Sequence, residues 1–326
     1  MKAVLVSTLS DDFSGVELTE VPLPRRKDGE VLVRIRAAAL NFPDLLMTRG
    51  AYQFKPDLPF VLGMEWAGEV VEADPSSDFA PGHRVSGSAK TGAFAEYACL
   101  PAHALRSVPE GLTFAQAASL GAAYTTAWTG LMELGRLEAG QWVFVTGASG
   151  GVGLAACDLA RAMGARVIAG TGVAEKIDAI RGAVSPDAVV LTEGRFREQV
   201  REITEGALCD IVFDLVGGDV FDECTRCVAF GGQLQVVGFT SGRIAEIATN
   251  IPLIKGFSVV GLRAGEYARR RPDRGRAIAE SVHRLAEAGR IAPIIDRALP
   301  LERWREGLAA MANRELVGKV VFEPRP

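Results

Sequence analysis

A turn made almost wholly of small residues constrains this chain more than any other feature. Residues 143–165 read VFVTGASGGVGLAACDLARAMGA: a short apolar run, a stretch with almost no side chains, then a helical pattern. The small residues fit the dinucleotide fingerprint as Ala148-x-Gly150-x-x-Gly153, with alanine in place of the first glycine. Such a turn lets backbone N–H groups approach a pyrophosphate, and the helix it opens adds partial positive charge there. A glycine-rich turn alone could be merely structural, so its context decides. From Gln141 the chain alternates apolar strands (WVFVTG, ARVIAGT, AVVLT, DIVFDLVGG, QLQVVGF, FSVVGL) with helical segments, among them VFDECTRCVAF. That alternation implies a parallel, doubly wound Rossmann sheet covered on both faces. Ala148, Ser149, Gly150, Gly151, Val152 and Gly153 are therefore candidate cofactor contacts.

The second strand bears on which dinucleotide is bound. An NAD enzyme usually carries Asp or Glu about 20 residues past the first glycine, to bind the ribose 2′-hydroxyl. Here that place reads Val167-Ile168-Ala169-Gly170-Thr171-Gly172, without an acid, and Lys176 follows one turn later. A missing carboxylate removes repulsion toward a 2′-phosphate, and a lysine supplies a counter-charge. Thr171, Gly172 and Lys176 thus point to NADPH; the alternative is that Lys176 is only an exposed helix residue.

Residues 1 to about 110 are written differently. Short β-branched runs alternate with Pro, Gly and Asp turns, as in a compact sheet or barrel. At Thr113, a residue able to cap a helix, a long Ala- and Leu-rich segment begins. After about Gly265 a charged helix and a strand–helix–strand coda follow, too short for a domain of their own. The expected organisation is a β-rich domain of residues 1–120 plus 266–326 and a Rossmann domain of 121–265. A net charge of −4 gives no general attraction to nucleic acid or anionic membranes. The arginines at 269, 270, 271 and 274 read as a solvated helix start. The start resembles no signal peptide and no apolar run is long enough to span a bilayer. Five sparse cysteines suggest reduced thiols, and so the cytoplasm, with Cys224 and Cys227 structural rather than a redox pair.

The order of a β-rich domain, a mid-chain AxGxxG turn and a return to the first domain resembles the medium-chain dehydrogenase/reductases. Within them, LNFPDLLMTRGAYQFKPDLPFVLGMEWAGEV and GLRAGEYARRRP are similar to the zinc-free quinone oxidoreductase branch. The resemblance implies a GroES-like catalytic domain beside the Rossmann domain. Zinc alcohol dehydrogenases carry a Cys and a His as ligands where this chain has Asn41 and Met64, and their four-cysteine loop has no counterpart around Cys99. No metal site is therefore expected. The resemblance also implies that Asn41 and Tyr52 lie beside the nicotinamide as amide and phenol donors, and that Tyr124 lines the pocket, although an apolar helix stripe would explain Tyr124 equally well. Thr126, Gly238, Phe239, Arg263 and Lys319 become cofactor contacts. Glu65 is expected as a buried structural acid and Asp44 as a capping or ion-pair residue. An aromatic often found along the adenosine is missing, and Thr192 stands nearby. The implied activity is hydride delivery from NADPH to a quinone or another conjugated carbonyl by a homodimer. The rival readings are an enoyl-thioester reductase, with the arginine cluster as its basic groove, and a non-catalytic NADPH-binding protein.

Overall fold

The computed structural model describes residues 1–325, and the chain divides into two units. The second unit, Ala122–Ala292, holds six strands: β1 (Trp142–Val145), β2 (Arg166–Thr171), β3 (Ala188–Leu191), β4 (Cys209–Asp214), β5 (Val228–Val236) and β6 (Ser258–Gly261). They pair in parallel in the order β3-β2-β1-β4-β5-β6, and the order reverses between β1 and β4. This is the doubly wound Rossmann arrangement read from the alternating segments. Trp142 through Val145 are all buried, as strands covered on both faces require.

Two local readings change. The helix expected across VFDECTRCVAF spans only Gly218–Cys224. The chain then turns, and Val228 opens β5 by pairing with Cys209, so strand pairing overrides the helical spacing. Cys224 and Cys227 are both buried free thiols; burial pushes Cys227 up to about 12 and Cys224 well above its ordinary value. Thiols so disfavoured as thiolates are inert packing groups. The expected domain boundary near residue 265 also moves. Helix Pro272–Glu287 lies in the second unit, where Ile278, Val282 and Ala286 are buried. Polar ties hold that segment: Tyr267 Oη and Arg274 Nη2 both donate to Glu133, at 3.1 and 2.5 Å.

The first unit, Met1–Gly121 with the stretch from Pro293, is built on a seven-stranded sheet. From one edge it runs Ile295–Pro300, Lys319–Glu323, Glu30–Ala39 and Glu65–Glu72. Pairing of Val321 with Ala39 and of Ala39 with Glu65 brings three distant stretches of chain to one point. Beneath lies a core of Ile35, Leu40, Trp66, Phe94 and Phe322, with Phe94 and Phe322 edge to face at 4.9 Å. Thr113 caps helix Phe114–Trp128 as expected: Gln116 N donates to Thr113 Oγ1, and Thr113 N to Gln116 Oε1, a reciprocal box.

Candidate functional site

In the second unit the small-residue turn joins β1 to helix Gly151–Ala162. Gly147 has φ +62, a conformation that side chains disfavour. A Cβ on Gly153 would come within 2.4 Å of the Gly147 carbonyl oxygen, so only glycine lets the helix start so close under the turn. Ala148 is fully buried and its N–H donates to the Gly170 carbonyl at 2.9 Å, which ties the turn to β2. Ser149 and Val152 are half-buried, Gly150 is exposed, and no side chain caps the helix. The first N–H groups of this helix are thus without a side-chain acceptor, as an anionic ligand needs.

The crevice where strand order reverses is held by a pair that the sequence does not announce. Thr146 Oγ1 donates to Asp214 Oδ1 at 2.5 Å, joining the ends of β1 and β4. Asp214 is fully buried and also accepts from the backbone N–H of Val216 and Gly217. Burial raises its pKa, and these hydrogen bonds oppose the shift. Its only signal in the sequence is an acid closing an apolar strand, DIVFD.

At the end of β2, Thr171 is buried, with its hydroxyl near the Val173 backbone, and Gly172 is exposed. Lys176 is not an exposed helix residue: it is 8% exposed, in a short 3₁₀ turn just past β2. Thr192 N donates to the Thr171 carbonyl at 2.7 Å, closing that corner. Gly238 and Phe239 follow β5, with the Phe239 ring 44% exposed. Arg263 is exposed just past β6. The Thr126 hydroxyl donates to the Ala122 carbonyl of its own helix, so toward a cofactor it can only accept a hydrogen bond.

Tyr124 requires a correction. Its side chain is 2% exposed and its hydroxyl donates to Asp158 at 2.6 Å, a carboxylate that also accepts from Ala292 N. Burial and the neighbouring carboxylate push the phenol far above its ordinary value. Tyr124 is a buried tether within its unit, and the apolar helix stripe that competed with a pocket role accounts for it.

The first unit contains a buried polar cluster of four side chains. Asn41, at the start of helix Phe42–Thr48, accepts from Lys319 Nζ at 2.7 Å and donates through Nδ2 to Glu65 Oε2 at 2.9 Å. Lys319 Nζ lies 3.9 Å from the same Glu65 oxygen. The Asn41 backbone N–H donates to Asp44 Oδ2 at 2.8 Å, and Asp44 Oδ1 has no hydrogen-bond partner. Burial raises Asp44 to about 7, despite hydrogen bonds from the Asn41 and Gly63 backbone and the charge of Lys319. Burial likewise lowers Lys319, with Glu65 and Asp44 opposing.

This cluster revises two expectations. Lys319, expected as a cofactor contact, is 6% exposed and directs its ammonium at Asn41. Asn41, expected as an amide donor, has that amide already bonded to Glu65 and, at 3.3 Å, to the Ala39 carbonyl. Its chemistry toward a ligand is that of an acceptor held by a cation. Tyr52 is half-buried against the core, and its hydroxyl has no partner among the described residues.

Residues 27–110 match the family described as the alcohol dehydrogenase GroES-like domain, and residues 151–287 the one described as zinc-binding dehydrogenase. A quinone oxidoreductase-like protein 2 homolog of Nematostella vectensis is 36% identical over 300 residues, 91% of this chain and 82% of that protein. The crystal structure of a probable oxidoreductase from Mycobacterium abscessus matches with a TM-score of 0.91 at 32% identity, over 99% of both chains. The quinone oxidoreductase of Thermus thermophilus, whose crystal structures include a complex with NADPH, matches with a TM-score of 0.83 at 29% identity, over 99% of this chain and 100% of that one. The zinc in the second family description finds no fitting donors at positions 41 and 64. Zinc favours thiolate, imidazole or carboxylate, whereas Asn41 offers an amide oxygen already bonded to an ammonium and Met64 a thioether.

Proposed function

Because the chain belongs to the medium-chain dehydrogenase/reductase superfamily, in its quinone oxidoreductase branch, we propose that it is an NADPH-dependent reductase that acts without zinc on a quinone or another α,β-unsaturated carbonyl. The observation that carries this reading is the bonded pair Asn41–Lys319. Where relatives that use zinc have a ligand, this chain has an amide saturated by its own buried cation. Conjugated acceptors are electron-poor and need no Lewis acid to hold an alkoxide, so they suit such a site.

When bound, the nicotinamide supplies a hydride. The chain contributes the rest. Backbone N–H groups of Gly150, Gly151 and Val152 hold the pyrophosphate, and Thr171, Gly172 and Lys176 accommodate the 2′-phosphate, with no acid at the end of β2 to repel it. The unpartnered Tyr52 hydroxyl donates to the oxyanion that develops on the acceptor. The open edge of β6, with Phe230, Leu253 and Ile254 exposed at 90, 81 and 77% close by, supports a homodimer formed through that edge. Sedimentation equilibrium at micromolar concentration tests the dimer; a monomer throughout would remove it.

The decisive experiment follows NADPH oxidation across quinones, enones and enoyl thioesters, before and after dialysis against a strong chelator. Turnover unaffected by the chelator and faster than with NADH is expected. Activity that vanishes on chelation and returns with zinc would overturn the metal-free reading, and tight NADPH binding without turnover on any acceptor would favour the non-catalytic one.

A further inference from the structure

After β5 ends at Val236, residues 238–243 run as a strap across the loop that follows β4. Backbone bonds hold the strap down. Gly238 N donates to the Asp214 carbonyl at 3.3 Å, Thr240 N to the Leu215 carbonyl at 3.2 Å and Ser241 N to the Val216 carbonyl at 2.9 Å. The floor beneath is bare of side chains: a Cβ on Gly217 would stand 3.1 Å from the Phe239 ring. Arg243 then reaches back to helix Gly218–Cys224, where its Nη2 donates to Asp219 at 2.8 Å and to Asp222 at 2.5 Å. Just beyond, Ala245 and Ile247 pack against the core of the unit. The strap is therefore anchored at both ends, while Phe239 remains 44% exposed between them.

The chemistry of the Arg243 tie differs from that of the pair below it. Thr146 and Asp214 are fully buried, so their bond is shielded from water. Arg243 and Asp222 are each 48% exposed and Asp219 is 99% exposed. Ion pairs so placed are weak and screened by salt, which makes the tie easy to open. Its place gives that property a use. The corner proposed for the 2′-phosphate lies at β2, and the pyrophosphate turn follows β1. A dinucleotide lying across the switch point then has its nicotinamide half on the side of β4 and β5, where the strap is. Phe239 is the aromatic side chain that the strap presents there.

We propose that Arg243 is a positioning residue. Through Asp219 and Asp222 it latches the strap, keeps Phe239 against the nicotinamide, and so sets how fast the nucleotide leaves. The inference rests on the nucleotide-binding half of the reductase reading and adds a release step to that site.

The test displaces bound NADPH with excess NADP⁺ in a stopped-flow instrument and follows nicotinamide fluorescence. At low ionic strength Arg243→Gln should raise the dissociation rate about fivefold, as expected for the loss of exposed pairs. The emission of bound NADPH should move toward that of the free nucleotide. Arg243→Lys, which keeps the charge, should restore part of both, and Asp222→Asn should act in the same direction as Arg243→Gln. Salt of about 0.5 M should bring the parent up to Arg243→Gln, because screening undoes the same pairs. Arg276→Gln, which breaks an ion pair with Asp273 on another helix, should match the parent at every salt concentration. Equal rates for the parent and Arg243→Gln at low salt overturn the proposal. So does an acceleration whose ratio to the parent is the same at all salt concentrations, since that is damage to the fold, not loss of a latch. A parent that binds no nicotinamide nucleotide removes the proposal together with the reductase reading. Tight binding indifferent to the latch removes the proposal alone.

Discussion

The turn at residues 147–153 and the cluster around Asn41 both place polar groups at the end of a sheet, but one is made of backbone and the other of side chains. In the turn every specific feature is the absence of a side chain: Gly153 because a Cβ would strike the Gly147 oxygen, Gly147 because its φ is positive. In the cluster every feature is a side chain, and the four come from residues 41, 44, 65 and 319, joined only by strand register. A backbone site tolerates charge changes and fails on added volume; a buried side-chain site does the reverse.

The largest expected effect follows from that contrast. Lys319→Met keeps volume in the first unit but leaves Glu65 without its counter-charge and Asn41 Oδ1 without a donor. Breaking a buried pair on one side costs about 4 kcal/mol of folding stability. Urea denaturation should show this loss, and Lys319→Met combined with Glu65→Gln should recover part of it, because the uncompensated charge is then gone. A single variant as stable as the parent would mean that the cluster is hydrated and the contrast false.

Asp44 gives the next effect, with a definite sign. Its folded pKa of about 7 lies above the ordinary carboxyl value. The folded protein thus keeps a proton that the unfolded chain releases near pH 4, so stability falls as pH rises toward 7 and levels off above it. Asp44→Asn can still accept from the Asn41 N–H and never ionises. It should be more stable than the parent at pH 8 by on the order of 3 kcal/mol, with the gap narrowing steadily toward pH 4. Parallel stability curves for the two proteins between pH 5 and 8 would show that Asp44 is already ionised in the fold.

Within the turn, volume should matter instead. Gly153→Ala forces a Cβ against backbone that cannot yield and should cost about 2 kcal/mol, together with a clear loss of NADPH affinity by fluorescence titration. Gly150→Ala is the control: its Cβ would stand 3.6 Å from the Gly147 oxygen, and its φ of −79 suits any residue, so the free protein should remain as stable as the parent. Equal destabilisation by both would show that helix propensity, not the close approach, governs the turn.

The same contrast explains what could be read from sequence. The parallel sheet was legible because its strands are contiguous apolar runs, and the turn because glycine has few uses beyond conformation. Glu65 and Asp44 were legible as buried or capping acids, since each sits beside a recognisable element. Lys319 was not, because its partner lies 278 positions away and only the pairing of Val321 with Ala39 brings them together. Tyr124 was ambiguous for the same reason: a buried phenol and a pocket phenol share one helical stripe, and only Asp158 on another helix distinguishes them. The end of the helix at Cys224 was invisible because Val228 is claimed by a neighbouring strand, not by its own sequence.

The smallest effect is expected at a corner of the nucleotide site where a charged side chain, not backbone, is asked to choose a ligand. Lys176 is buried beside the end of β2, so its charge is partly desolvated and its reach limited by the short turn that carries it. If it meets the 2′-phosphate, Lys176→Ala should weaken NADPH about tenfold, about 1.4 kcal/mol, while NADH changes little. Competitive displacement by the two reduced nucleotides measures the ratio directly. Equal losses for both would give Lys176 a structural task like that of Lys319. Discrimination would then rest on Thr171, Gly172 and the missing acid, with no cation in the choice.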